Sequence, residues 1–161
     1  MHCRRKISVT LRLARSLILL IVPTAFAGAQ EQRIKRSELP PAVEKTVAAE
    51  SKHGSVRGVS QETEHGQVYY EAEFIVAGHH RDVLMDHNGD IVEVEEQVAL
   101  DSLSPAVKDS LLAKTGKGRL QNVESLTKQG KLVAYEAQVL TDGKRSEVQV
   151  SPGGETLDHE E

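Results

Sequence analysis

The chain has 161 residues with 20 basic and 24 acidic side chains, a formal charge of −4, and a single cysteine. The acidic balance excludes the basic stripe that a phosphate-backbone binder needs, and the lone cysteine excludes an internal disulfide framework. Such a chain must rest on its apolar core alone.

Residues 1–29 read as a signal peptide. Arg4, Arg5, Lys6, Arg12 and Arg15 form a positive start with no acid among them, and Ser16 to Phe26 form a short apolar run broken by Pro23. Small residues at Ala25, Ala27 and Ala29 place cleavage after Ala27 or Ala29. The expected location is therefore periplasmic or secreted, with no stable membrane anchor once the leader is cut. Cys3 lies in the leader, so the mature chain has no thiol. Losing the leader's five basic residues leaves 15 against 24 acidic ones, a balance of −9. That points away from nucleic acid and towards cationic partners.

Gln30 to Ser37 is polar and reads as a frayed lead-in. A helix should then open at Pro40-Pro41, where proline is tolerated, with Val43 and Val47 one turn apart on its buried face and Gly54 as a left-handed C-cap. Period-two alternation follows: Val68, Tyr70, Ala72, Phe74 and Val76 on one face of a strand, Tyr69, Glu71 and Glu73 on the other. Turns are written at His65-Gly66, Ala77-Gly78 and Asn88-Gly89, the last as a type I′ hairpin. Gln97 to Ser102 reads as a linker. A second helix opens at Ser104-Pro105, with Val107 and Leu111 as its stripe and Gly116 or Gly118 at its end. A second strand sets Val133, Tyr135, Ala137 and Val139 against Ala134, Glu136 and Gln138, between turns at Gln129-Gly130, Asp142-Gly143 and Gly153-Gly154. Tyr70 and Tyr135 stand in the apolar register and are expected in the core.

The two halves echo one another. Leu39, Pro41, Ala42 and Val43 return as Leu103, Pro105, Ala106 and Val107, and Tyr70-Glu71-Ala72 returns as Tyr135-Glu136-Ala137. Gly54, Val59, Thr63 and Gly66 recur 64 residues on, and Gly78, Val83 and Gly89 recur 65 residues on. An ordered echo of this kind signals a duplicated supersecondary unit. The expected fold is α+β: two tandem α-β-β-β(-β) repeats at 37–97 and 101–159, forming antiparallel sheet with one helix per repeat packed on one face.

Leu39, Pro40 and Val43 opening a helix, the turn at Gly66, Tyr70-Glu71-Ala72 on a strand, and the turn from Asp86 to Gly89 resemble the PepSY-like domain family. The tandem arrangement is similar to that of β-lactamase inhibitory proteins, whose paired helix-plus-sheet units present a concave sheet to an enzyme. The resemblance implies an exported, non-enzymatic module that binds or inhibits another exported protein, with no cofactor.

The residues agree with that expectation. There is no nucleophile-elbow serine, no glycine-rich phosphate loop and no His-Glu-x-x-His pattern. The candidate partner-binding residues are those alternating away from the core: Tyr69, Glu71, Glu73, Asp82, Glu93 and Glu95, with Glu136 and Gln138 from the second half. Acidic side chains beside an exposed tyrosine suit a basic protein partner, since aromatics anchor interfaces and charges steer encounter. An alternative is a metal-ion sensor or buffer using His65 and His87, on turns at the same end of the sheet, with Asp86 beside them.

Overall fold

Residues 31–64 and 66–157 are described by the structure, a computed structural model. Residues 1–30, which hold the expected signal peptide, together with His65 and the last four residues lie outside them. In chain order the elements are β1 (Gln32–Ile34), α1 (Pro41–Glu50), β2 (Ser55–Glu64), β3 (Gln67–Val76), β4 (His79–Met85), β5 (Ile91–Gln97), α2 (Pro105–Thr115), β6 (Arg119–Lys128), β7 (Lys131–Thr141) and β8 (Lys144–Val150). All eight strands form one antiparallel sheet in sequence order.

Both helices begin where proline is tolerated. Pro41 and Pro105 occupy the first turns, where a missing N–H costs nothing, and the Ser104 hydroxyl accepts a bond from the Val107 amide. Val43 and Val47 of α1 are fully buried against Val59, Ala72, Phe74, Val83 and Met85. Val107 and Leu111 of α2 are buried against Val123, Ala137 and Val150. Each such side chain contributes about 1.5–3 kcal/mol of transfer free energy.

Both helices lie on the same face. Val94, which packs on the α1 core, stands opposite Thr127, and Thr127 shares its side of β6 with Val123 of the α2 core. The β5–β6 pairing thus joins two helix-covered halves into one continuous sheet. The echoed residues occupy matching register positions: Val59 faces Ala72, and Val123 faces Ala137. Bulges also match, with Arg57 extra in β2 and Gln121 extra in β6.

The turns divide into two kinds. Ala77-Gly78, Gln129-Gly130 and Asp142-Gly143 have positive φ at both residues, the signature of type I′ hairpins. Asn88-Gly89 does not, because only Gly89 is left-handed. Here the Asp86 carboxylate accepts bonds from the Asn88 and Asp90 amides, while the Gly89 amide donates to the Asp86 carbonyl. That holds Asn88 in an ordinary conformation and makes a type I turn closed by a glycine bulge. Ser151 to Glu155 repeats the arrangement with the Ser151 hydroxyl in the place of the carboxylate.

These turns dock on the helices. Thr46 donates to the Gly89 carbonyl at 2.7 Å and Ser110 donates to the Gly154 carbonyl at 2.6 Å. A methyl group on Gly89 would lie 2.5 Å from the Ala42 carbonyl oxygen, and one on Gly154 would lie 2.7 Å from that of Ala106.

Several other expectations are corrected. The lead-in contains β1, which pairs with Val59 to Gln61 at the sheet edge. Gly54 is not a left-handed cap, since α1 ends at Glu50 with Ser51 as its cap, and Gly54 is needed because the Ile75 carbonyl approaches too closely for a side chain. The linker is partly structural: Gln97 ends β5, while Val98 and Leu100 pack on the second core. Tyr70 and Tyr135 are half-buried at the borders of their cores rather than inside them. Val68 is 38% exposed, because its rung lies beyond the cover of α1.

Candidate partner-binding face

The sheet face turned away from the helices is built from alternate residues of every strand, and its register sets carboxylates in rows. Glu73 stands opposite Asp82, Asp82 opposite Glu95, and Glu95 opposite Leu126, which faces Ala134. A second row runs from Ser60 through Glu71, Leu84 and Glu93 to Lys128. A third runs from Gln97 through Glu124 and Glu136 to Gln149. Directly opposed side chains sit about 5 Å apart at Cβ. Two ionised carboxylates at that spacing repel by about 3 kcal/mol at an effective dielectric of 20.

The chain avoids full ionisation. Burial first, then Asp82 and other nearby acids, pushes the Glu71 carboxyl up to about 7. Burial and then Glu136, Glu124 and Glu93 push Glu95 up to about 8. Glu62, Asp82, Glu93 and Glu124 are raised as well, each chiefly by burial. Glu124 and Glu136 are only 6% and 9% exposed, and accept bonds from Asn122 at 2.7 Å and Gln149 at 2.8 Å respectively. Asp82 Oδ1 is buried without a hydrogen-bond partner among the described residues. Cations meet the array at its flanks: Arg33 on β1 bonds Glu73 at 2.7 Å, and Lys128 lies 3.6 Å from Glu93.

All eight residues singled out from the alternation, including Tyr69 and Gln138, fall on this face. Glu62, Glu71, Asp82, Leu84, Glu93 and Glu95 line one depression of about 120 Å³. Glu136 and Gln138 lie two strands further on, beside Glu124 and Asn122. Tyr69 stands apart, opposite Glu62, and donates its hydroxyl to Gln67 at 2.7 Å. It borders a larger hollow of about 690 Å³, where Leu84, Val92 and Val133 stand with two acids, Glu64 and Glu93, and two lysines, Lys128 and Lys131.

Sequence reasoning missed Glu124, although its alternation with the buried Val123 carried the signal. It also placed Val133 in the core register. Val133 is the extra residue of a bulge, since Leu126 faces Ala134 while Thr127 faces Leu132, and its side chain lines the open-face hollow.

His65 lies outside the described residues, and His87 is exposed beside Gln67, Val68 and Tyr69. The Asp86 carboxylate is committed to the turn it caps. Among the described residues no group of three His, Cys, Asp or Glu side chains has metal-binding geometry. Also among them, no helix is long and apolar enough to cross a membrane.

No family model matches this chain, and no curated protein does. The fold itself is a known one. A DUF2874-family protein from Bacteroides ovatus superposes with a TM-score of 0.57 at 22% identity, over 74% of this chain and 85% of its own. A protein from Bacteroides eggerthii, provisionally described as periplasmic, gives 0.59 at 20% identity over 74% and 86%. A BLIP-like protein from Bacteroides fragilis gives 0.54 at 20% identity over 74% and 83%. At these identities the likeness is one of fold.

Proposed function

We infer that this chain is an exported, non-enzymatic binding module of PepSY-like, tandem-repeat type that masks a basic protein partner with its open sheet face. The observation that carries the reading is the sidedness of the sheet. Both helices cover one face, while the other gathers carboxylates that crowd one another, with Asp82 Oδ1 unsatisfied among the described residues. Such crowding costs stability, and a cationic partner would offset it. The leader supports export, and the fold shared with a protein provisionally described as periplasmic agrees with that location. The fold shared with a BLIP-like protein supports masking of a partner by a sheet.

The test is capture of partners from the exported fraction, comparing Tyr69→Ala and the pair Glu71→Lys, Glu73→Lys with Leu112→Lys on the exposed flank of α2. Open-face variants should lose the captured protein while keeping a native circular dichroism spectrum. The helix-side variant should retain it. Equal capture by all folded variants would remove this reading.

A further inference from the structure

We propose that the open face is a two-part docking surface for a protein segment presenting a basic side chain close to an apolar one, the carboxylate floor taking the first and the adjoining hollow the second. This rests on the binding-module reading and goes beyond it by specifying the chemistry of the contacting segment.

The two depressions are contiguous, because Leu84 and Glu93 line both. The smaller is otherwise walled by the carboxyl groups of Glu62, Glu71, Asp82 and Glu95, and among the described residues no donor reaches the buried Asp82 Oδ1. An ammonium or guanidinium group supplies several donors to such a site at once. The larger has the volume of a side-chain or ligand cleft, about 300–1,000 Å³, and is walled by Tyr69, Leu84, Val92 and Val133.

Two of those walls are there because the strands break register. Val92 is the extra residue of a bulge in β5, since Leu84 faces Glu93 and Met85 faces Ile91. Val133 is the extra residue of the bulge in β7. The Gln129 amide donates to the Val92 carbonyl, tying the β6–β7 turn to the first bulge. Bulges re-aim side chains, and here both add an apolar group to one hollow beside Leu84. Lys128 and Lys131 stand at that hollow beside Glu64 and Glu93, so its charges balance, whereas the ionisable groups of the floor are all acids and draw the basic side chain. Charge therefore sets the orientation of the segment as well as its composition.

The experiment titrates isotope-labelled exported protein with capped hexapeptides while following methyl and carboxyl resonances. One set carries arginine and leucine separated by zero to three glycines; controls carry only the arginine, only the leucine, or glutamate with leucine. The best arginine–leucine peptide should bind at least tenfold tighter than either single-feature peptide. It should shift the Leu84, Val92 and Val133 methyls together with the Glu71 and Glu95 carboxyls. At pH 8.5, where Glu95 is ionised, Val133→Ser should abolish the advantage of leucine but not that of arginine, and Glu95→Gln the reverse. Arginine-only peptides binding this face as tightly as the two-feature set would overturn the two-part surface while leaving the acidic face as a binding site. No open-face shift with any peptide at millimolar concentration would overturn it as well, and partner capture would then report separately on the broader reading.

Discussion

Glu95 retains its proton up to about 8, against an ordinary 4.5, and Glu71 up to about 7. Between 4.5 and these values the folded chain binds protons that the unfolded chain has released, so stability falls as pH rises through that window. The surface acids Glu44 and Asp101 are shifted the other way, first by hydrogen bonds from Arg36 and Lys108, and their contribution is lost only at lower pH. Thermal unfolding followed by circular dichroism should therefore show a melting temperature higher at pH 5 than at pH 8.5. Glu95→Gln should raise the melting temperature at pH 8.5 by about 4 °C, the effect of roughly 1 kcal/mol in a domain of this size, and change it little at pH 5. A melting temperature for Glu95→Gln below that of the parent at pH 8.5 would mean that this carboxylate is favourably paired. The candidate face was legible at this scale because alternation is local: Tyr69, Glu71 and Glu73 could be placed by counting from Tyr70. Their protonation was not, because it depends on which acids the neighbouring strands bring opposite.

The turn glycines show what an element-scale reading gains and loses. Gly89 and Gly154 stood out as echoes, yet their requirement comes from the helix that each turn touches. Gly89→Ala combines a φ of 79° with a methyl driven into the Ala42 carbonyl, and should cost about 2 kcal/mol or more in urea unfolding. Thr46→Val, which removes only the bond to the Gly89 carbonyl, should cost about 1 kcal/mol. Equal costs would show that the hydroxyl, rather than the close approach, holds the turn. Both helices and the positions of the turns could be read directly, since proline, serine and glycine act through their own backbone preferences, but the turn type could not: Asn88-Gly89, the turn read as type I′, is not one. The bulges at Val92 and Val133 could not. An extra residue leaves composition and nearly all of the alternation intact, and shows itself only against the partner strand. β1 escaped for a related reason: its alternation is too short to see, and it exists because β2 offers it an edge.

At the scale of the molecule, five β5–β6 residue pairs, from Glu93–Lys128 to Gln97–Glu124, join the halves. A fragment ending at residue 99 would keep the α1 core but expose β5 as an unpaired edge. It should self-associate in analytical ultracentrifugation at concentrations where the intact chain stays monomeric. A monomeric, fully folded fragment would show that the seam is dispensable. The echo in the sequence announced two similar halves. It left open whether they would share a sheet or merely abut, because that depends on β6 finding the free edge of β5 after α2 has crossed the helix-covered face.

That strand order also governs how quickly the native pairing can be reached. Every strand lies beside its neighbour in sequence, so each closure spans either a tight turn or a single helix. Loop-closure entropy is small at every step, and no pairing must wait for a distant segment. The hairpin at Ala77-Gly78 and the β6–β7–β8 meander, whose two type I′ turns flank β7, can zip within microseconds and offer one nucleus in each half. The β5–β6 rungs then form between surfaces already ordered on either side. Refolding should accordingly be faster than is usual for β-rich chains of this length, with the seam closing late and its substitutions felt mainly in the rate of unfolding.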